Sequence, residues 1–280
     1  MNQPKRHHFV PEVLLKRFMD SAGWVHAYSK DDPDAKIRKE RPCNVFVRRH
    51  LYSTEDQAGA KDPAVEREFS QLESLIGPIL DKFENAAARN DVPNLTPEER
   101  LVWHYFFALQ FKRVPDFLHR PEFVADAESF FHQTLDELRR KYPDRVEEID
   151  GFSHEASRFV KNAQIGALQS VSAEVIDVLE ARGIALLRLT SPNKAFIIGS
   201  RPVVQFAFRK GRTLREPSTE MWLPISSRLL VGVGHTNAPE SILSLDDHAA
   251  VRHVNVAIAE QSSHIASCSP KLTRSVAFAK

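Results

Sequence analysis

The apolar residues of the chain follow two different patterns, and the change comes at Gly183. Before it, apolar side chains recur at spacings of three and four, which is the spacing of a helix with one buried face. After it, the chain contains short apolar runs that are typical of strands, such as IALLRLT, AFIIGS, VVQFAF, MWLPI and LLVGVG. A chain with its helices first and its strands last is expected to be α+β. We expect a helical N-terminal two-thirds with long packed helices, followed by a mainly antiparallel sheet and a late helix.

The same change divides the chain into a mainly helical part, residues 1–182, and a sheet-rich part, residues 183–280. A length of 280 residues suits one large domain or two closely packed ones. The two parts could therefore share a single hydrophobic core.

Helices are predicted over these ranges: 63–89, 97–113, 121–141, 153–181 and about 246–261. The clearest helix boundary is in LTPEER, where Thr96 is a suitable N-cap, Pro97 suits the first helical position and Glu99 completes a capping box. The helix that follows, with the sequence LVWHYFFALQF, is apolar around most of its circumference. We expect it to be buried on several sides.

Outside these helices, WVHAY at 24–28 alternates in the manner of a short strand, and a last strand is expected near 264–268. The segment SKDDPDAKIRKERPCN is polar and rich in helix-breaking residues, so a loop is predicted there.

Several classes of protein are not supported by the sequence. The chain contains no P-loop, GxGxxG, HExxH or GxSxG motif, and its two cysteines form no CxxC pair. No apolar run approaches 18 residues, and the N-terminus has no apolar signal core. We expect a cytoplasmic protein that does not cross a membrane.

The charge is unevenly distributed although the net charge is only +1. Residues 1–60 and 201–280 carry an excess of bases, and residues 61–160 an excess of acids. The segment KIRKERPCNVFVRRH, which contains Asn44, is strongly basic and could contact a nucleic acid or another polyanion, with Phe46 available for stacking. A solvated basic loop is the alternative, because no nucleic-acid-binding fold signature accompanies the cluster.

The stretch KRHHFVPEVLLKRF places His7 and His8 directly before an amphipathic run. Adjacent residues point in different directions, so one imidazole can face a site while the other packs or contacts solvent. A neutral imidazole can ligate a metal or transfer protons near neutral pH. His7 and His8 are therefore candidate catalytic residues, and packing with a hydrogen bond to a carbonyl is the alternative.

Glu66 and Glu73 fall on the same side of the predicted helix over 63–89, at the edge of its apolar stripe. A half-buried glutamate can bind a metal or act as a base if burial raises its pKa. Glu73 is a candidate catalytic residue, and both glutamates are candidate ligands of Mg²⁺ or Mn²⁺. The alternative is a pair of boundary salt bridges, for example to Arg113.

Gln110 and Arg113 lie three residues apart on the apolar helix, so they are neighbours on its surface. A buried guanidinium needs an anionic partner. That partner could be Glu73, in a structural role, or the phosphate or carboxylate of a substrate. Asn255, in the late helix, is a further candidate contact for substrate, and so is Asn44, although Asn255 could equally bond a loop.

The order of several short motifs resembles a known family. These motifs are HHFVPEVLLKRF, NVFVRRHLY, the ExxxxxxE of Glu66 and Glu73, ALQFKRVP, FIIGSRPVV, LPISSRLLVGVG and VNVAIAEQSSHIAS. They are similar to the uncharacterised bacterial proteins of domain-of-unknown-function family 4238. The resemblance spans nearly the whole chain and implies no established reaction.

One residue departs from that family's pattern. Where the family has a Ser-Asp-x-Pro-Val turn after an apolar strand, this chain reads GSRPVV, with Arg201 at the acidic position. If that acid were a metal ligand or a base in the family, this chain would be inactive or would use another carboxylate.

Two functions follow from these residues. The first is a metal-assisted, nuclease-like hydrolase of phosphodiesters that acts on nucleic acid or a nucleotide. In it, His7 or His8 and Glu73 carry out the chemistry, and Gln110 and Arg113 hold a phosphate. The second is a non-enzymatic protein with a buried polar network and a basic loop that docks an acidic partner.

Overall fold

The chain has an α+β fold in which most of the helix lies in the first two-thirds. The computed structural model describes residues 6–32, 36–118, 120–206, 214–216, 218–233 and 240–278. The helices, in chain order, are α1 Glu12–Leu15, α2 Ala64–Arg89, α3 Pro97–Lys112, α4 Pro115–Leu118, α5 Pro121–Lys141, α6 Val146–Asp150, α7 Ala156–Gln169, α8 Ala173–Arg182, α9 His248–Glu260 and α10 Pro270–Ala277.

The strands are mostly short. They are β1 Arg6–His8, β2 Val25–Ser29, β3 Arg38–Glu40, β4 Val47–Arg49, β5 Thr54–Glu55, β6 Lys61–Asp62, β7 Ile184–Leu189, β8 Ile198–Gly199, β9 Val204–Phe206, β10 Glu220–Ser226, β11 Leu229–Val233, β12 Glu240–Leu245 and β13 His264–Ser267.

Nine of the strands form two larger sheets. One has the strand order β12-β7-β11-β10-β9, and the other has the order β3-β2-β13-β8. The pairing is antiparallel throughout these sheets except between β12 and β7, which are parallel. Two small ribbons, β1-β4 and β5-β6, lie in the first 62 residues.

The two ends of the chain meet in the second sheet, where β2 pairs with β13 so that Ala27 is opposite Ala266. The main hydrophobic core also draws on both parts, because Phe83 and Trp103 belong to the same buried cluster as Leu186 and Ala266. The mainly helical and sheet-rich parts therefore share one core. A second cluster packs α9 against the sheets.

The predicted helices over 63–89, 97–113 and 121–141 correspond to α2, α3 and α5. The capping box is confirmed: the Thr96 hydroxyl accepts from the Glu99 N–H, and the Glu99 carboxylate accepts from the Thr96 N–H. The buried α3 is confirmed too, with Trp103 and Phe106 at most 1% exposed.

Two predictions of secondary structure were wrong. The single helix expected over 153–181 is broken into α7 and α8, because Ser172 adopts an extended conformation and caps a new helix by accepting from the Val175 N–H. The polar segment over 29–44, expected to be a loop, contributes β3 as the edge strand beside β2. Several elements were not predicted, of which the longest are the strand β12 and the helix α10.

The strands predicted after Gly183 are found as β7 to β11, although β8 is only two residues long. The ends of two predicted strands, residues 207–208 and 234, lie outside the described residues.

Gly183 ends α8 with φ 72° and ψ −175°, a region of backbone space that is accessible almost only to glycine. We predict that Gly183→Ala lowers the free energy of unfolding by about 1–3 kcal/mol, measured by urea denaturation. Gly166→Ala is the control, because nothing lies within 4 Å of the added Cβ and Gly166 is within α7. That change should raise the free energy of unfolding by about 0.5–1 kcal/mol. Equal effects of the two substitutions would contradict this account of the boundary.

Candidate functional site

Arg113 is the centre of a buried polar cluster. It follows the last residue of α3, and its side chain is only 1% exposed. Its Nη1 donates to Oε1 of Glu73 at 2.6 Å, and its Nη2 lies 3.8 Å from Oε2 of Glu66. Its guanidinium carbon is 4.3 Å from the centre of the Phe69 ring and 5.5 Å from that of Tyr52. Two carboxylates and two aromatic faces thus surround one buried cation.

The two glutamates reach Arg113 from α2. They are seven residues apart, two helical turns, which places both side chains on one side of the helix as predicted. Glu66 is buried with 10% of its side chain exposed, and Glu73 is partly exposed with 20%. The prediction that Arg113 could pair with Glu73 describes the observed contact.

His7 joins the cluster through Tyr52. The Tyr52 N–H donates to Nδ1 of His7 at 3.0 Å, and the two rings are stacked with centroids 5.8 Å apart. The Tyr52 hydroxyl in turn donates to the Arg113 carbonyl at 3.1 Å, and burial raises the pKa of the Tyr52 phenol well above its ordinary value of 10.0. His7 is completely buried, so packing with a backbone hydrogen bond accounts for its placement.

His8 is the partly exposed member of the histidine pair. It lies on β1 opposite Val47 of β4, and its backbone N–H is hydrogen-bonded to the Glu66 carboxylate. Burial is the main cause that lowers the pKa of the His8 imidazole below 6.5, and it outweighs the opposing charges of Glu12 and Glu73. His8 is therefore neutral at pH 7.

The pKa of Glu66 is shifted in the opposite direction to that of His8. Burial raises the pKa of Glu66 from 4.5 to about 7, and the charge of Glu73 adds to this, while Arg113 lowers it. The cluster thus contains a glutamate that holds its proton up to neutral pH and an imidazole that has already lost its own.

The cluster is incompletely hydrogen-bonded. Within the described residues, seven buried side-chain atoms lack a hydrogen-bond partner. Four belong to this cluster, His8 Nε2, Glu66 Oε2 and Arg113 Nε and Nη2, and two are Nε2 and Oε1 of Gln110, three residues before Arg113 on α3. The seventh, Glu240 Oε1, is ion-paired with Arg100 at 2.6 Å. Gln110 has 0% exposure, so the oxygen and the nitrogen of its amide are both buried without a hydrogen-bond partner. Unpaired buried polar atoms are few in folded proteins, and their concentration in one place needs an explanation.

The remaining predicted residues lie elsewhere. Asn44 is exposed beside β1, where its Oδ1 accepts from Nη2 of Arg6 at 3.1 Å. Asn255 is buried in α9, where its Oδ1 accepts from the Ile197 N–H and its Nδ2 donates to the Ala195 carbonyl. The second of the two roles considered for Asn255, bonding a loop, is the one observed.

Asn44 lines a small pocket of about 320 Å³ between β4 and the β3-β2-β13-β8 sheet. Arg38, Arg48 and His264 also line it, together with the carboxylates of Asp31 and Glu40. Within the described part of the chain, neither Arg38 nor Arg48 forms an ion pair. The buried Phe46 beside it has a φ of 55°, an unusual left-handed conformation for a bulky residue.

Arg201, where the resemblance led us to expect an acid, is ion-paired with Asp116. Its Nη2 is 3.0 Å and its Nε 3.2 Å from Oδ2 of Asp116. The two residues are 85 positions apart in the sequence. Both side chains are about half exposed, so the pair contributes little to stability.

The charge around Glu66 and Glu73 disfavours a divalent metal. Both carboxylates face the buried guanidinium of Arg113, which would repel a dication. Across the described ranges, no group of three or more His, Cys, Asp or Glu side chains is arranged to hold a metal ion. Mg²⁺ or Mn²⁺ at these glutamates stays a prediction.

Sequence reasoning missed Tyr52 and Phe69 as members of the cluster. Tyr52 ends the NVFVRRHLY segment and is completely buried, and Phe69 lies on the apolar stripe of α2. An aromatic residue on an apolar stripe gives no sign in the sequence that it will pack on a guanidinium.

These features define an α+β protein with a buried arginine, two glutamates and a histidine pair at the junction of α2, α3 and the β1-β4 ribbon. The chain belongs to the family described as Protein of unknown function (DUF4238), whose model matches residues 6–271. Comparison with curated proteins and with solved structures gave no match. In the part of the chain that the structure describes, no helix is both long and apolar enough to cross a membrane.

The raised pKa of Glu66 predicts a pH-dependent stability. The pKa of this carboxyl is about 7 in the folded state and near 4.5 when unfolded, so between these pH values the unfolded state binds fewer protons. The free energy of unfolding should therefore fall as pH rises from 4.5 to 7, by on the order of 3 kcal/mol from this group. Glu66→Gln should lack this fall, so the variant gains stability relative to wild type over that window.

Urea denaturation at several pH values measures the difference. Glu122→Gln, which changes an exposed glutamate in the first turn of α5, should give a curve parallel to that of wild type. If the curve for Glu66→Gln is also parallel, the raised pKa is refuted.

Proposed function

We propose that the chain is a nuclease-like hydrolase of phosphodiesters in which His8 and Glu66 transfer the protons. The observation that carries the proposal is the concentration of unpaired buried polar atoms at His8, Glu66, Gln110 and Arg113. Leaving such atoms unpaired is costly, and active sites are where that cost is commonly offset by a ligand.

The protonation states suit acid–base chemistry at neutral pH. A neutral His8 can accept the proton of an attacking water while the water oxygen bonds to phosphorus. The bond from phosphorus to the leaving oxygen breaks, and that oxygen takes the proton held by Glu66. Both side chains then return to their starting states by exchanging protons with solvent. A general acid or base contributes typically 10²–10⁴-fold to the rate.

Arg113 and Glu73 have supporting roles in this proposal. Arg113 positions both glutamates and places a positive charge beside the site where phosphoryl charge develops. His8 and Glu73 are the partly exposed members of the cluster, so substrate would approach from their side. Contact of a substrate with His8 Nε2 or Glu66 Oε2, or with Gln110 or Arg113, requires the cluster to open, because these groups are buried.

The surface around His8 favours an anionic substrate. β1 pairs with β4 so that the exposed Arg6 is opposite the exposed Arg49, and Arg48 follows Val47, the partner of His8. A ribbon of arginines beside the acid–base pair supports nucleic acid or a nucleotide as the substrate. We further propose a cytoplasmic location, with which the free thiols of Cys43 and Cys268 agree.

A non-enzymatic function has its own support in Arg38 and Arg48. Both line the small pocket beside β4 without an ion pair among the described residues, and they could dock an acidic partner there. In that case the Arg113 cluster would only stabilise the fold.

A single-turnover assay tests the hydrolase. With enzyme in excess over end-labelled single-stranded RNA, single-stranded DNA or duplex DNA, we expect cleavage that His8→Ala and Glu66→Gln each reduce by about 10²–10⁴-fold. His154→Ala removes a histidine whose side chain is 76% exposed and should leave the rate unchanged. Parallel reactions with EDTA, Mg²⁺ and Mn²⁺ decide whether a metal takes part.

The pH dependence gives a second test of the roles. The rate should rise with pH through the lowered pKa of His8, which must be neutral, and fall above about 7, where Glu66 loses its proton. Absence of product at high enzyme concentration, with wild-type protein still binding the oligonucleotide, would instead support the docking function.

A further inference from the structure

A groove in the sheet-rich part is separate from the Arg113 cluster. It has a volume of about 930 Å³ and is lined by residues 192–195, by the first half of α9 and by the segment from Cys268 to Val276. We call it the C-terminal groove. None of the residues of the Arg113 cluster lines it.

The charge of the groove is of one sign. Its lining residues include five bases and no aspartate or glutamate: Lys194, Arg228, His248, Arg252 and Lys271. Among the described residues, no carboxylate lies within 4.0 Å of the charged groups of Lys194, Arg252 or Lys271. A concave surface with charges of one sign concentrates the field and attracts ions of opposite sign.

The wall that carries Lys194 is held rigidly. Arg228 donates from Nη1 to the carbonyls of Ser191 and Lys194, at 2.6 and 2.8 Å, and from Nη2 to that of Leu189 at 2.6 Å. Asn255 fixes the next residues through the Ala195 carbonyl and the Ile197 N–H. Five hydrogen bonds thus fix this loop before any ligand arrives, which lowers the entropy cost of binding.

The floor of the groove is apolar. Val251 and Val276 are 2% and 5% exposed, and Leu272, which also lines the groove, is partly buried. The groove is much larger than a simple inorganic anion and lies within the usual range for small-molecule sites, about 300–1,000 Å³.

We propose that the C-terminal groove binds an organic phosphate, a molecule with two or more negative charges and an apolar body such as a nucleoside diphosphate. The body lies on Val251, Leu272 and Val276, and the phosphates meet Lys194, Arg252 and Lys271. This site is independent of the proposed hydrolase, because it shares no residue with the Arg113 cluster.

Calorimetric titration with ADP tests the charges. The double variant Lys194→Gln, Lys271→Gln should bind ADP at least about tenfold more weakly than wild type, and added salt should weaken wild-type binding. The control is Lys61→Gln, Lys141→Gln, which removes the same charge from exposed lysines on β6 and at the end of α5 and should bind as wild type does. Equal affinities of the two double variants, or no binding by wild type, would overturn the proposal.

Alkylation of the Cys268 thiol can show where ADP binds, because this thiol is half-buried and lines the groove. In a Cys43→Ser background it is the sole cysteine, and burial raises its pKa, so alkylation is followed at alkaline pH. ADP should slow alkylation of Cys268, and should fail to do so at the same concentration in the Lys194→Gln, Lys271→Gln variant. Binding of ADP without protection would place it elsewhere and refute the assignment.

Two further ligands test which class of molecule the C-terminal groove binds. Inorganic phosphate should bind more weakly than ADP, because it has no body to cover the apolar floor. If phosphate binds equally well, or if a single-stranded oligonucleotide is preferred to ADP at equal charge, the groove is not a site for a small organic phosphate.

Discussion

The buried guanidinium of Arg113 is the interaction on which the N-terminal part of the fold depends. A charge removed from water must be matched by opposite charge and by hydrogen bonds. Glu73 supplies the direct bond, Glu66 a second carboxylate, and Phe69 and Tyr52 supply aromatic faces. Through these contacts Arg113 connects the end of α3 to α2 and, by way of Tyr52 and its bond to His7, to the β1-β4 ribbon. The position of the histidine pair is thereby linked, through Tyr52, to the buried charge of Arg113.

What could be predicted from the sequence was mostly local. The spacing of Glu66 and Glu73 placed both on one side of α2, and the capping box at Thr96 located the start of α3, because both depend on residues a few positions apart. The stacking of His7 on Tyr52 and the pairing of β12 with β7 depend on contacts across 45 and 56 residues. The spacing of apolar residues does not indicate which distant segments will contact each other. The break between α7 and α8 was missed for a different reason, since apolar spacing continues through residues whose backbone leaves the helix at Ser170.

The two candidate sites are polar in different ways. In the Arg113 cluster the charges are paired, but the hydrogen-bonding capacity is unfilled and the atoms are buried. In the C-terminal groove, Arg228 and Asn255 hydrogen-bond the backbone of the loop that carries Lys194, while Arg252 and Lys271 are exposed to water. Unpaired buried atoms favour a tightly enclosed reacting group, because each lost bond is costly. Exposed cations around an apolar floor favour a ligand that is attracted by its negative charge and held by burial of its apolar surface.

The proton on Glu66 links stability and the proposed chemistry. With Glu66 neutral, Arg113 and Glu73 form a balanced ion pair in the interior. With Glu66 ionised, two carboxylates share one guanidinium, and the buried cluster carries an excess negative charge. Burial raises the pKa of Glu66 to about 7 and the charge of Glu73 adds to this rise, although Arg113 acts in the opposite direction. The protonation state that the folded protein prefers is therefore the state that a general acid needs. Because burial also lowers the pKa of His8, its imidazole is neutral at pH 7, and the fold prepares both partners of a proton transfer.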